Sequence, residues 1–130
     1  MAKSAAKKPS GATPTLTLED VRRIALALPG VTEGTSYGTT AFRVGQKFLA
    51  RLHQNETDLV IRIGFDERET LMEADPATFH ITDHYRNYPA MLVRLAKVHP
   101  KQLRRLFEQL WRAHASKRLV KAFDEQHRDG

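Results

Sequence analysis

The first regular pattern of apolar residues along the chain has the period of a helix. Apolar side chains recur there at the three- and four-residue spacing of one helix face: Leu18, Val21, Ile24, Ala25 and Leu28. Thr17 is a typical N-cap in front of this face, and the pair Pro29-Gly30 is typical of a helix end. The sequence therefore predicts a first helix between Thr17 and Pro29.

From Tyr37 the apolar period changes to two, which is typical of β-strands. In the first predicted strand, Phe42 and Val44 alternate with Ala41 and Arg43, and Gly45-Gln46 then predicts a tight turn. In the second strand, Phe48, Ala50 and Leu52 are expected on one face and Leu49, Arg51 and His53 on the other. A third strand presents Leu59, Ile61 and Ile63. The three strands are predicted to form an antiparallel meander.

The patterns in the second half of the chain predict a helix, two strands and a final helix. Asp66 is suited to cap a short helix from Glu67 to Glu73. Two further strands are predicted from apolar alternation, first around Phe79 and Ile81 and then at Met91, Val93 and Leu95. Pro100 opens a long amphipathic helix with Trp111 on its apolar face, and residues 117–126 form a weaker amphipathic segment. The predicted order is α-β-β-β-α-β-β-α.

This order predicts a domain of the α+β class. Residues 1–16 contain lysines and small polar residues with a single leucine, so we expect them to form a disordered basic tail. Residues 17–130 are predicted to form a single domain, because a chain of 130 residues has no room for a second one.

The formal net charge of +6 lies at the two ends of the chain. Residues 1–16 carry +3 and residues 101–130 carry +4, whereas residues 17–100 carry −1. Such ends attract an anionic partner. The chain has no cysteine, and its apolar runs are far shorter than the ~18 residues of a membrane span, so we expect a cytoplasmic protein that does not bind a membrane.

Several stretches resemble the MmcQ/YjbR family of DNA-binding proteins, and the resemblance covers nearly all of residues 17–115. The resemblance rests on Ala27-Leu28-Pro29-Gly30-Val31, on Tyr37 to Val44 with Lys47-Phe48, and on Val93-Arg94-Leu95 leading to Leu103-Arg104-Arg105-Leu106. It implies a two-layer YjbR-like fold, with helices packed on one face of an antiparallel sheet. This architecture is also found in secretion chaperones. The resemblance also implies a role in DNA binding.

The predicted sheet places one arginine on each of four strands. If Phe42, Phe48, Ile61 and Val93 face the helices, four arginines share the opposite face: Arg43, Arg51, Arg62 and Arg94. Guanidinium groups arrayed in this way are suited to binding phosphates, and Lys47 and His53 extend the row. The alternative is a solvated surface whose arginines pair with Glu33, Glu56 or Asp58.

A second candidate contact surface is the loop between the fourth and fifth predicted strands. Tyr85, Arg86 and Tyr88 combine aromatic rings with a positive charge, which suits stacking on exposed bases. The alternative is that the tyrosines only pack the turn around Pro89.

No motif in the sequence predicts catalysis, a metal site or a cofactor. His80 and His84 would lie about 13 Å apart on a strand, too far for one zinc ion, and no nucleophile pattern surrounds Ser36. The leading hypothesis is therefore a non-enzymatic domain that binds nucleic acid, expected to be DNA. The alternative is a protein-interaction or adaptor module that binds a polypeptide or a second copy of this chain.

Overall fold

The computed structural model of the chain describes residues 15–127. It contains, in chain order, α1 (Leu18–Leu26), β1 (Val31–Ser36), β2 (Thr39–Val44), β3 (Lys47–Leu52), β4 (Asp58–Arg62), α2 (Phe65–Ala74), β5 (Phe79–His80), β6 (Ala90–Arg94), α3 (Pro100–His114) and α4 (Lys117–His127). All strand pairs are antiparallel, and the six-stranded sheet has the order β1-β2-β3-β4-β6-β5. The predicted α+β class is confirmed.

The main core lies between one face of the sheet and helices α1 and α3. It joins Val21 and Ala25 of α1 to the apolar face of α3 and to the inward side chains of the strands. Phe42 of β2 meets Phe107 of α3 edge to face, with ring centroids 6.4 Å apart. Within residues 15–127, no helix combines the length and the apolar character that crossing a membrane requires.

The start of α1 agrees with the predicted cap. The hydroxyl of Thr17 accepts a hydrogen bond from the backbone of Asp20, and the Asp20 carboxylate accepts one from the backbone of Thr17. The predicted tail boundary at residue 16 is wrong, however, because Leu16 is buried and its N–H donates to the carbonyl of Leu95 at 3.0 Å. Residues 1–14 of the predicted tail lie outside the described residues.

Strand β1 was absent from the predicted order. Its sequence, Val-Thr-Glu-Gly-Thr-Ser, buries only Val31, so no apolar alternation marks it. It is an edge strand that pairs with β2 alone, and an ion pair ties it to α1 through Arg22 and Glu33, with 2.7 Å between Nε and Oε1. The hydrogen bond from Arg22 holds the pKa of Glu33 below its ordinary value. Backbone pairing, not side-chain burial, defines this strand.

A β-bulge in β3 changes which residues face the helices. Phe42 pairs with Ala50, but Arg43 pairs with Phe48, so Leu49 is an extra residue opposite β2. Leu49 and Ala50 are therefore both buried in the main core. Phe48 moves to the opposite face of the sheet, beside Arg43. The predicted placement of Phe48 against the helices, and of Leu49 away from them, is wrong for this reason.

We expect Trp111→Ala to lower the free energy of unfolding by about 3–5 kcal/mol. The side chain is fully buried, its Nε1 donates to the carbonyl of Pro29 at 2.8 Å, and its ring lies 5.0 Å from that of Phe123. Urea denaturation measures the change, with Leu26→Ala on an exposed position of α1 as a control that changes stability by no more than about 0.5 kcal/mol. Equal effects of the two substitutions would contradict the placement of Trp111.

Candidate nucleic-acid interface

The face of the sheet turned away from α1 and α3 carries a groove of about 760 Å³. Phe48 and Val60 supply apolar lining from β3 and β4, and Arg43 and Arg51 supply positive charge from β2 and β3. Other lining residues come from the β1–β2 turn, from the β3–β4 loop and from the segment before β6. We call this feature the open-face groove.

One wall of the groove is the segment that follows β5. It contains a single turn of 3-10 helix, Asp83–Tyr85, which lays the ring of Tyr85 on the open face of the sheet. Tyr85 forms a small second core there with Val60 and Leu92. Tyr85 is therefore buried, whereas Tyr88 is 57% exposed at the groove.

Arg68 of α2 fixes this segment in place. Its guanidinium donates four hydrogen bonds of 2.7–3.0 Å to backbone carbonyls, those of Tyr85, Arg86, Tyr88 and Ala90. The side chain is 4% exposed, and its Nε has no hydrogen-bond partner among the described residues. No pattern in the sequence indicates this role, because Arg68 lies in a helix in which half of the residues are charged.

Arg51, predicted to lie in an exposed row of arginines that binds phosphates, is the second buried guanidinium. It is 7% exposed, and it donates to the hydroxyl of Tyr85 at 2.9 Å and to Oε1 of Gln54 at 3.2 Å. Its Cζ lies 5.1 Å from the centre of the Tyr37 ring. The partners that the described residues offer it are neutral, so its positive charge remains uncompensated beside the groove.

The four predicted arginines do not form a common row. Arg43 lines the groove with Arg51, but Arg94 donates to the carbonyls of Pro76 and Ala77 at 3.2 and 2.9 Å, away from it. Each arginine does lie between two neighbours in sequence that pack in the main core. The direction of its long side chain, however, depends on carbonyls and loops that this alternation does not specify.

Arg62 and Lys47 also lie outside the lining of the groove. Arg62 approaches the carbonyl of Phe48 at 3.5 Å, and Lys47 ends the β2–β3 turn. Burial lowers the pKa of His114 on α3, and the positive charges of Arg62 and Lys47 lower it further. The positive charges of Arg62 and Lys47 therefore lie near α3 and not at the open-face groove.

Two of the three proposed acidic partners of the arginines, Glu33 and Asp58, are engaged elsewhere. Glu33 pairs with Arg22, and Asp58 lies 3.0 Å from Nε2 of His80. Arg86 is exposed and pairs with Asp83 on the same loop. Within residues 15–127, no cluster of three or more histidine, aspartate or glutamate side chains has an arrangement that could hold a metal ion.

Aromatic rings continue along the groove wall. His84 meets Tyr85 edge to face at 4.7 Å and lies 5.8 Å from the ring of Tyr88. On the opposite side, Tyr37 is 81% exposed and has a positive φ of 54° in the β1–β2 turn. His53, predicted to extend the arginine row, does line the groove, 6.5 Å from Tyr85.

The family model YjbR matches residues 26–113, more than half of the chain. The chain belongs to the MmcQ/YjbR family. The matched residues include every residue that lines the open-face groove, so the groove is built within the family portion of the chain. The family resemblance noted in the sequence is confirmed.

The relatives of this MmcQ/YjbR chain include Uncharacterized protein Rv2570 of Mycobacterium tuberculosis and Uncharacterized protein Mb2600 of Mycobacterium bovis. Each is 30% identical over 125 residues, covering 82% of this chain and 95% of the relative. Among solved structures, protein DR2400 of Deinococcus radiodurans, with a DUF419 domain, superposes with a TM-score of 0.66 at 22% identity, over 88% of this chain and 90% of that one. This likeness shows the fold.

We expect Arg68→Met to destabilise the protein by roughly 2–3 kcal/mol, because four carbonyls lose a charged donor while the apolar stem is kept. Hydrogen exchange of the backbone amides between residues 85 and 90 should become faster. Arg105→Met on the exposed face of α3 is the matched control. Unchanged exchange in this segment would show that Arg68 does not hold it.

We expect His114 to titrate below 6.5, its ordinary pKa, and Arg62→Ala to raise that pKa by removing one positive charge. NMR of the histidine ring measures both values. Because folding lowers the pKa, the unfolded chain binds the proton more readily, so the contribution to stability is present above 6.5 and is lost as the pH falls through the folded pKa. Lys101→Ala, about 20 Å away along α3, should leave the pKa of His114 unchanged.

Proposed function

We propose that this chain is a non-enzymatic DNA-binding domain whose contact surface is the open-face groove. The observation that carries the proposal is the lining of the groove. It brings Arg43 and Arg51 beside the exposed rings of Tyr37 and Tyr88, and no carboxylate is among its lining residues in the described part of the chain. Positive charge with exposed aromatic rings is the combination that binds nucleic acid.

The distribution of charge supports the same function. The net charge is +6, and its excess lies at the ends of the chain, including the lysines Lys3, Lys7 and Lys8. Such bases attract DNA without regard to sequence and raise its local concentration. The groove then supplies the closer contacts, through Arg43 at its side and the uncompensated charge of Arg51 beneath.

A second candidate function is a protein-interaction module. It is favoured by β1, which forms an edge of the sheet and exposes four consecutive residues, Thr32 to Thr35. An extended peptide could add to such an edge by main-chain hydrogen bonds. Ser36 is the only residue of β1 that lines the groove, so a peptide paired along this edge would not need the positive lining.

We expect Arg43→Ala to weaken DNA binding and to flatten its dependence on salt by about 0.7–0.9 units of log–log slope, the value of one lost phosphate contact. Arg43 lines the groove without an acidic partner among the described residues. Fluorescence anisotropy with labelled oligonucleotides over a range of salt concentrations measures the effect.

The matched control is Arg104→Ala, which removes the same charge from the exposed face of α3 in the other layer. It should change affinity much less than Arg43→Ala. Equal losses in the two variants would mean that only total charge matters and that the groove is not the contact surface. Absence of any salt-dependent binding by the unaltered chain would reject the DNA-binding function and favour the protein-interaction module.

A further inference from the structure

We propose that the open-face groove takes up one unstacked base of single-stranded DNA, between Tyr37 and Tyr88, with Arg43 on an adjoining phosphate. The proposal rests on the proposed function and gives it a substrate class. It follows from four properties of the groove: its size, its exposed rings, its charge and the rigidity of its walls.

The size of the groove suits a single planar group and not a duplex. Its volume of about 760 Å³ falls within the ~300–1,000 Å³ of sites that enclose small molecules. Phe48 and Val60 give it an apolar lining, as the faces of a base require. A base within a duplex is covered on both faces by its neighbours, so the groove can reach it only after unstacking, whereas a single strand offers it directly.

Two large aromatic rings at the groove are left in solvent. Tyr37 is 81% exposed and Tyr88 is 57% exposed, among only four large apolar side chains of residues 15–127 that are exposed. Their backbones are nevertheless held: Gln54 donates to the carbonyl of Tyr37 at 3.2 Å, and Arg68 donates to that of Tyr88 at 2.7 Å. Rings on a fixed backbone lose little freedom on stacking, which favours binding.

A chain of contacts through the buried guanidinium of Arg51 connects the rings of Tyr37 and Tyr88. The Arg51 guanidinium lies 5.1 Å from the Tyr37 ring and donates to Tyr85, whose ring contacts His84, and His84 lies 5.8 Å from Tyr88. One cation thus sits within a continuous path of rings from one wall to the other. A base that enters the groove meets positive charge beneath it, and its phosphate meets Arg43.

The proposed function, DNA binding, supplies the source of the strand. A ribose 2′-hydroxyl is what distinguishes RNA from DNA at a given site, so the RNA of the same sequence is the matched probe for the assignment to DNA.

The test compares four labelled oligonucleotides of equal length by fluorescence anisotropy: single-stranded DNA, its duplex, the RNA of the same sequence, and single-stranded DNA with abasic sites. The abasic strand keeps the phosphates and removes the bases. We expect the intact DNA strand to bind most tightly. Tyr88→Ala should weaken that binding about tenfold, the effect of losing one stacking ring, while Tyr88→Phe retains it.

Tyr88→Ala should also leave binding of the abasic strand unchanged, because no base remains to stack. The fold of each variant is checked by circular dichroism, and Leu26→Ala serves as the control for loss of another exposed apolar side chain. An abasic strand bound as tightly as the intact one, or an intact strand bound equally by Tyr88→Ala, would overturn the base site. Equal binding of RNA would overturn its assignment to DNA.

Failure of this proposal is distinguishable from failure of the proposed function. If duplex and single strand bind equally, and Arg43→Ala weakens both while Tyr88→Ala weakens neither, the protein binds DNA through phosphates and the base site is rejected. If none of the four oligonucleotides binds, both are rejected, and a peptide partner at β1 replaces them.

Discussion

The guanidinium of Arg68 determines whether the open face of the sheet is a flat surface or a groove. The segment from residue 85 to residue 90 has too few apolar side chains to hold itself against the sheet, since Tyr85 is buried but Tyr88 is exposed. Four carbonyls of this segment instead converge on one buried cation. Because each carbonyl would otherwise lose its hydrogen bond to water, Arg68 and this wall of the groove depend on each other.

Two buried arginines with neutral partners are unusual in a domain of this size, because burial of a charge is costly unless it is well hydrogen-bonded. Arg68 meets this requirement through carbonyls that face the interior. Arg51 has weaker partners, with two of its contacts at 3.3 and 3.4 Å, and it lies at the groove. A cation whose hydrogen-bond partners are all neutral gains from an anion that binds in the groove beside it.

Periodicity alone predicts α1, the β2–β3 hairpin, β6 and α3, because their apolar residues recur at the spacing of a helix or of a strand. It could not predict β1, which buries only Val31 and is held by backbone pairing. Nor could it predict where the arginine side chains point: Arg94 and Arg68 end on backbone carbonyls of distant loops. Carbonyl positions follow from tertiary structure, and no residue type in the sequence marks them.

The bulge at Leu49 shows how packing and site are linked through one residue. Without it, regular alternation would place Phe48 among the helices and Leu49 on the open face. With it, Leu49 enters the core, and Phe48 instead lies on the open face, where it pairs with Arg43 and lines the groove. The same extra residue therefore fills the core and gives the groove an aromatic lining beside a cation. A register shift that removed the bulge would take Leu49 out of the core and Phe48 out of the groove together. The stability of the core therefore also maintains the lining of the groove.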